Sequence, residues 1–205
     1  MKVAVLGIGK IGGILGTKWL EASHEVVFGV RDMNSPKVQS FHATRGDNLV
    51  VGSLSQAIAF GDVVLFAVPG AAVPAIVNSY AEDLNHMIII DATNNMGAAD
   101  MSNVAILTAR SPNARVFRAF NSLGWENFAQ PQFGDIQADL FYCGSDDASA
   151  RSAVEQLVSD IGLRPVRLGG LDQVALVDAV TRLWFTLAVG QKMGRHLAFK
   201  VLTPD

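Results

Sequence analysis

The chain has 205 residues, of which half are hydrophobic and 17% are charged, so it can bury a substantial core and long disordered stretches are excluded. Its formal net charge of -3 provides no basic excess for holding a nucleic-acid backbone, and we expect no nucleic-acid partner. The single cysteine, Cys143, cannot form an internal disulfide and ends an apolar run, so we expect it to be buried.

Short β-branched runs recur along the chain, and most are continuously apolar, as in strands that are covered on both faces. These runs are residues 2–7, 25–30, 48–52, 62–69, 87–93, 115–120, 139–144 and 164–169. Segments with helical spacing lie between them, at 9–22, 36–44, 53–60, 72–82 and 147–161. This βαβ repetition predicts an α/β fold with a doubly wound, mainly parallel sheet and a short C-terminal helical extension.

The final segment carries an apolar stripe from Val174 to Leu187 at helical spacing, typical of a core helix or a subunit contact. Asp178 and Arg182 interrupt its apolar sequence, and the other apolar runs are too short to span a bilayer. The N-terminus lacks the long apolar region and cleavage site of a signal peptide. We therefore expect a cytoplasmic protein that does not bind membranes.

The stretch GIGKIG directly follows the first predicted strand and holds Gly7, Gly9 and Gly12 at the spacing G-x-G-x-x-G. The first glycine permits a tight turn, the second lets a pyrophosphate approach the backbone, and the third lets the helix pack closely on the strand. The N–H groups that open the helix face the anion. The spacing predicts a dinucleotide site in the first βαβ unit.

The end of the second strand indicates which dinucleotide is bound. Val30 stands where NAD sites carry a carboxylate for the adenosine ribose, and Arg31 beside it suits a doubly charged phosphate. Ser35, as the N-cap of the next helix, and Lys37 can complete a 2′-phosphate site, or they can be an ordinary cap and a solvated charge. The pattern favours NADP over NAD. Asp32 either orients Arg31 through an ion pair or repels the phosphate.

Small and polar residues end three later strands, in FAVPG (66–70), DATNN (91–95) and AFNSLGWEN (119–127). Ligands of open parallel sheets bind beyond the carboxyl ends of the strands, so we expect the first two stretches beside the ribose and nicotinamide. Thr93 and Asn94 can orient the ring or its carboxamide, and Asn121 and Trp125 are expected in the acceptor cleft beside a second ring. Asp91 is expected to support its loop by local hydrogen bonds.

No side chain is assigned a catalytic role. The four histidines are scattered and are expected to be structural, and no Cys/His or H-E-x-x-H spacing suggests a metal. Hydride exchange between two redox cofactors requires aligned rings more than proton transfer from the protein, so this pattern suits a hydride-transferring oxidoreductase.

In this order and over more than half the chain, the stretches GIGKIGGILG, HEVVFGVRD, FAVP, DATNN and RAFNSLGWEN resemble the NADP oxidoreductase, coenzyme-F420-dependent family. The resemblance implies a small, commonly dimeric Rossmann protein in which NADPH meets a deazaflavin in a cleft closed by the C-terminal part. With the fingerprint, it gives these expected cofactor contacts: Gly7, Ile8, Gly9, Lys10, Ile11, Gly12, Arg31, Ser35, Lys37, Ala67, Val68, Pro69, Ala92, Thr93 and Asn94.

We therefore expect an NADP-binding unit at 1–120 and, at 121–205, an extension that completes the sheet and the acceptor cleft, within one compact domain. The expected function is hydride transfer between NADP(H) and a flavin-like or F420-like acceptor by a homodimer. One alternative is a non-catalytic NADPH sensor. Another is an imine reductase related to pyrroline-5-carboxylate reductases, which continue into a longer helical domain.

Overall fold

A computed structural model describes residues 1–45 and 49–204. The strands are β1 (Lys2–Leu6), β2 (Glu25–Val30), β3 (Val50–Ser53), β4 (Val63–Phe66), β5 (Ile88–Asp91), β6 (Arg115–Arg118), β7 (Gln132–Phe133), β8 (Ile136–Gln137), β9 (Asp139–Gly144) and β10 (Arg164–Arg167). The α-helices are α1 (Lys10–Glu21), α2 (Pro36–Arg45), α3 (Leu54–Phe60), α4 (Val73–Leu84), α5 (Val104–Arg110), α6 (Trp125–Ala129), α7 (Ala148–Asp160) and α8 (Val174–Phe185).

Eight of these strands form one sheet in the order β10-β9-β6-β5-β4-β1-β2-β3. All neighbouring pairs are parallel except β6 and β9, which run antiparallel. The chain reverses its direction of winding between β1 and β4, where open sheets of this kind form a crevice at their carboxyl edge. The predicted doubly wound α/β fold with a mainly parallel sheet is confirmed.

The sheet is covered by apolar side chains on both faces, which explains the continuously apolar strands. On one face it packs against α1 and α7, where the Trp19 indole N–H donates to the Leu157 carbonyl at 2.9 Å. On the other face α3, α4 and α5 bury residues such as Ile58, Val77 and Leu107. Because β9 and β10 extend the same sheet beyond β6, the sheet continues past residue 120 without interruption.

Several elements differ from the sequence expectation. The β7–β8 hairpin and the short helices α5 and α6 were not predicted, and most strands end one to three residues earlier than the apolar runs that marked them. Asn48, which began the predicted third strand, lies outside the described residues. Cys143 is buried as predicted, and burial raises the pKa of its thiol to about 11.

The helix α8 is longer than its α-helical core. A 3-10 turn at Leu171–Gln173 precedes it and a π-helical turn at Thr186–Gly190 follows it. By length and composition alone, the stretch Leu171–Gly190 could cross a bilayer, at a mean hydropathy of 1.2. Asp178 and Arg182 interrupt this stretch, and an ion pair within the fold engages Asp178.

The C-terminal segment is anchored to the sheet through Asp139. The buried Asp139 carboxylate accepts hydrogen bonds from Arg164 Nε and Nη2, each at 2.7 Å, and from the Val201 N–H at 2.7 Å. Lys200 Nζ lies 3.3 Å from the same carboxylate. Burial acts to raise the pKa of Asp139, but the hydrogen bonds from Arg164, Val201 and Lys200 outweigh it and hold the pKa below its ordinary value.

We predict that Asp139→Asn lowers the free energy of unfolding by about 1.5–3 kcal/mol at neutral pH, because it removes a charged hydrogen-bond acceptor from a buried site. Asp146→Asn is the matched control, since Asp146 pairs with Arg167 while its side chain is 87% exposed, and we expect almost no change. Denaturant unfolding of the three proteins measures this.

The same comparison has a defined pH dependence. The stabilisation from a carboxylate with a lowered pKa is fully present above its ordinary pKa of 3.8 and is lost as the pH falls through the lower folded-state value. The difference in the free energy of unfolding between the wild type and Asp139→Asn should therefore shrink in strong acid. A difference that stays constant with pH would contradict the stabilising role of the Asp139 carboxylate.

Candidate functional site

A cavity of about 420 Å³ opens at the carboxyl ends of β1, β2 and β4, at the crevice of the sheet. Nine of the residues predicted to contact the cofactor line it, from the three strand ends and the start of α2: Gly7, Ile8, Gly9, Arg31, Ser35, Lys37, Ala67, Val68 and Pro69. The structure thus brings residues from 7 to 69 of the chain around one space. This crevice is where the βαβ pattern predicts a dinucleotide to bind.

The glycine loop is shaped by close backbone contacts. Gly7 has a φ of +106°, and a Cβ there would lie 2.6 Å from the Ala67 carbonyl oxygen. A Cβ on Gly12 would lie 2.2 Å from the Gly7 carbonyl oxygen, whereas one on Gly9 would meet no protein atom within 4 Å. The space over Gly9 is therefore open to a ligand, and helix geometry leaves the first N–H groups of α1, which begins at Lys10, without intrahelical partners.

The end of the cavity at β2 is cationic. Val30 is buried, and Arg31 and Lys37 are exposed at the cavity wall. Within the described residues, no hydrogen bond or ion pair engages the Arg31 guanidinium or the Lys37 ammonium. The Ser35 carbonyl accepts from the Val38 and Gln39 N–H groups, which places Ser35 directly before α2 as predicted.

The Asp32 side chain forms a hydrogen bond within its own turn. Its Oδ1 accepts a hydrogen bond from the Asn34 N–H at 2.9 Å, and across residues 1–45 and 49–204 it forms no ion pair with Arg31. Of the two interpretations left open by the sequence, the orienting ion pair is not observed. Asp32 also lines the cavity, so its negative charge would repel an anion bound there. One of its two carboxylate oxygens, Oδ1, is already engaged by the Asn34 N–H.

The stretch after β5 is held by Asp91, as expected. Asp91 Oδ1 accepts from the Thr93 N–H at 3.0 Å and from Thr93 Oγ1 at 2.6 Å, and Oδ2 accepts from the Asn103 N–H at 2.8 Å. Ala92, Thr93 and Asn94 do not line the cavity. They follow β5, whose neighbour β4 carries the cavity wall at Ala67–Pro69.

A buried arginine that the sequence analysis did not single out connects this stretch to α8. Arg118, fully buried at the end of β6, donates from Nη2 to Asn94 Oδ1 at 2.8 Å and also contacts the Thr93 carbonyl. It pairs with Asp178 Oδ1 at 2.8 Å and with Asp91 Oδ2 at 3.2 Å. The available signal was a charged residue inside the otherwise apolar run RVFRAF, since arginine is almost never fully buried unless it is paired.

The two residues predicted for the acceptor cleft lie in different settings. Asn121 is buried, and its side-chain Nδ2 donates to Thr181 Oγ1 of α8 at 2.8 Å. The main-chain carbonyl of Asn121 accepts from Asn94 Nδ2 at 3.0 Å. The ring of Trp125, the first residue of α6, carries the Lys10 ammonium 4.3 Å from its centroid. The Lys10 side chain therefore stands against α6 instead of lining the cavity.

Other titratable groups have structural partners. His24 Nε2 lies 2.7 Å from Asp160 Oδ2, and the His196 ring stacks on Phe133 with centroids 4.3 Å apart. In the parts of the chain that the structure describes, no group of three or more His, Cys, Asp or Glu side chains comes together as a metal ion would require. The site offers binding groups and no cluster of acid and base.

A family profile matches the N-terminal part of the chain, which contains the glycine loop. Residues 2–95 match the profile of the family described as NADP oxidoreductase coenzyme F420-dependent. This match agrees with the family resemblance found in the sequence. The NADP oxidoreductase match contains the glycine loop, the Arg31 region and the strand ends after β4 and β5, and it supports NADP-linked oxidoreduction.

Individual proteins resemble the chain over nearly all of its length. The F420-dependent NADP reductase of Methanothermobacter thermautotrophicus is 26% identical over 215 aligned residues, covering 94% of this chain and 91% of that protein. A protein of Arthrobacter sp. FB24, solved as a candidate F420-dependent NADP reductase, superposes with a TM-score of 0.86 at 22% identity. That likeness covers 99% of this chain and 100% of the other and concerns the fold.

The fold is also similar to a pyrroline carboxylate reductase of Plasmodium falciparum, with a TM-score of 0.58 at 11% identity. The match covers 94% of this chain and 69% of that longer protein. Identity at this level shows a shared fold and carries no argument for imine reduction.

Gly9 and Gly12 of the glycine loop are expected to respond differently to substitution. Gly9→Ala should fold normally and lose NADP⁺ binding, because its Cβ meets no protein atom but occupies the space where a pyrophosphate approaches. Gly12→Ala should lower the melting temperature, because its Cβ collides with the Gly7 carbonyl oxygen. Thermal melts and calorimetric NADP⁺ titrations measure both, and full NADP⁺ affinity in Gly9→Ala would place the dinucleotide elsewhere.

Proposed function

We propose that the protein transfers a hydride between NADP(H) and a flat acceptor of the flavin or deazaflavin class, such as F420. The observation that carries this proposal is the cavity at the sheet crevice, whose wall joins the open glycine loop to two unpaired cations. The family match supplies the reaction class, and the Methanothermobacter relative is named for the same pair of substrates.

In the proposed complex, the pyrophosphate lies over Gly9 and accepts hydrogen bonds from the first N–H groups of α1, those of Lys10, Ile11 and Gly12. The adenosine 2′-phosphate lies between Arg31, Ser35 and Lys37, where a guanidinium can form two parallel hydrogen bonds. Ribose and nicotinamide follow along the strand ends, in contact with Ala67, Val68, Pro69, Ala92, Thr93 and Asn94. Residues 1–120 thus bind the dinucleotide, and residues 121–205 complete the acceptor side.

The reaction that we propose needs little chemistry from side chains. A hydride leaves C4 of NADPH, which becomes NADP⁺, and the acceptor ring gains that hydride and a proton from water. The contribution of the protein is to hold two rings in contact and to keep the strand ends rigid, as the hydrogen bonds of Asp91 and Arg118 do. Asn121 and Trp125 are proposed to stand at the acceptor side.

We further propose a cytoplasmic homodimer. The supporting observation is the outward face of the last helix, where large apolar side chains such as Leu176 and Leu183 are each 49% exposed. Apolar side chains recurring at helical spacing on an uncovered face are typical of a subunit contact. A second copy of the chain could bury them.

Arg31→Ala tests the dinucleotide preference. It should weaken NADPH binding by about 1–3 kcal/mol and leave NADH nearly unchanged, because the guanidinium contacts only the extra phosphate. Lys18→Ala, in the last turn of α1 and away from the cavity, is the control. Calorimetry with both nucleotides measures the effect, and equal losses for NADPH and NADH would refute the phosphate assignment.

Turnover separates the enzyme from the alternative of a non-catalytic NADPH sensor. NADPH absorbance at 340 nm is followed with purified protein after addition of F420, FMN or FAD, each in a separate reaction. We expect oxidation of NADPH with at least one of these acceptors. Tight binding of NADPH without oxidation by any of them would favour the sensor.

A further inference from the structure

A second cavity, of about 810 Å³, lies between α8 and the segment that leads into α5. Its walls are residues 99–108 on one side and residues 171–182 on the other, and we call it the α8 groove. It shares no lining residue with the dinucleotide cavity. Its volume is within the range of pockets that hold a ligand of several fused rings.

Both walls of the α8 groove are hydrogen-bonded to the strand ends proposed for the nicotinamide. On the α5 side, Asn103 Nδ2 donates to Thr93 Oγ1 at 2.8 Å and to the Gly70 carbonyl at 3.3 Å. On the α8 side, Asp178 is joined through Arg118 to Asn94. The groove therefore lies next to the end of β5 and is fixed to it from two directions.

Asp178 presents an unused acceptor in this groove. Its Oδ1 accepts from Arg118 Nε at 3.0 Å, from Arg118 Nη2 at 2.8 Å and from Asn121 Nδ2 at 3.4 Å. Its side chain is only 7% exposed, and over the described residues no hydrogen bond reaches Oδ2. Asp178 lines the groove and Oδ2 is not among the buried atoms that lack a partner, so this oxygen is accessible and can accept a hydrogen bond from a ligand N–H.

Arg182 supplies the complementary group one helical turn later. Residues four apart are neighbours on a helix surface, so Arg182 stands beside Asp178 on the same wall. Arg182 is exposed, and in the described part of the chain its guanidinium has no hydrogen-bond or ion-pair partner. Asp100 is the third ionisable group of the lining, and no ion pair joins it to Arg182.

We propose that the α8 groove binds the hydride acceptor by the edge of its ring, with Asp178 Oδ2 accepting from a ring N–H and Arg182 donating to the adjacent carbonyl. This inference rests on the proposed function for its assignment of an acceptor. A pyrimidine-dione edge, as in flavins and deazaflavins, has an N–H between two carbonyls and matches this pair. A quinone has carbonyls and no N–H, so the pair selects against quinones.

Arg182→Gln tests the proposed hydrogen bond from Arg182 to the ring carbonyl. Binding of FMN and of F420 is measured by quenching of their fluorescence in the presence of NADP⁺, which needs no turnover. We expect roughly tenfold weaker binding of both and unchanged NADP⁺ affinity, because a charge-assisted hydrogen bond is lost. Arg151→Gln on α7, which lines neither cavity, is the matched control and should bind like the wild type.

The proposed hydrogen bond from the ligand N–H to Asp178 is tested by changing the ligand, because Asp178→Asn would also disturb the buried Arg118. FMN methylated at N3 cannot donate to Asp178, and we expect the wild type to bind it roughly tenfold more weakly than FMN. Equal binding of FMN and its N3-methyl derivative, or an unchanged acceptor affinity in Arg182→Gln, would overturn the proposal.

Two further outcomes are distinguishable. If FMN or F420 binds as expected but NADPH is never oxidised, the proposed function fails and the groove assignment stands. If Arg182→Gln changes the molar mass measured by light scattering and leaves acceptor binding intact, the groove is a subunit contact, which also overturns the proposal.

Discussion

The buried guanidinium of Arg118 is the interaction on which the candidate site depends. A fully buried arginine is tolerable only when opposite charges and hydrogen-bond acceptors surround it, and here Asp91, Asp178, Asn94 and the Thr93 carbonyl do so. These partners come from the end of β5 and from α8, which are far apart in sequence. By satisfying one buried charge, the fold fixes the last helix against the strand ends where a nicotinamide would lie.

The charge distribution explains how a chain of net charge -3 could present the proposed anion site. The buried Arg118 and the partly exposed Arg164 are both paired within the fold. Arg31 and Lys37 at the cavity wall have no hydrogen-bond or ion-pair partner among the described residues, and Val30 provides no competing carboxylate. The proposed anion site is thus local, and its affinity would depend on these two cations instead of the overall charge.

The strands, and the residues that meet at the crevice cavity, could be predicted because both depend on local sequence pattern. Continuous apolar runs mark strands covered on two faces, and the spacing of Gly7, Gly9 and Gly12 follows from contacts within one βαβ unit. Two-residue strands such as β7 and β8 contain too few residues for any periodicity, so they were missed. The predicted strands were too long because apolar residues such as Ala67 and Val68 continue past the last ladder pair.

The buried contacts between the end of β6 and α8 could not be predicted because they join residues that are far apart in the sequence. Asp178 was noted only as a polar interruption of an apolar helix, and its meaning depends on Arg118, 60 residues earlier. Lys10 belongs to the glycine fingerprint, which specifies backbone geometry and not side-chain direction. The Lys10 side chain lies over Trp125, which belongs to a helix that was not predicted. The local sequence can show that a charged residue interrupts an apolar run, but only the folded structure shows which residue pairs with it.

The central claim is that the crevice of the sheet holds NADP⁺ with its adenosine phosphate at Arg31 and its nicotinamide beside the α8 groove. A crystal structure of the protein with NADP⁺ bound tests it most directly. The account predicts a 2′-phosphate oxygen within about 3 Å of the Arg31 guanidinium, the pyrophosphate over Gly9, and one face of the nicotinamide turned toward the groove. A 2′-phosphate without contact to Arg31, or a nicotinamide separated from the groove by protein, would contradict it.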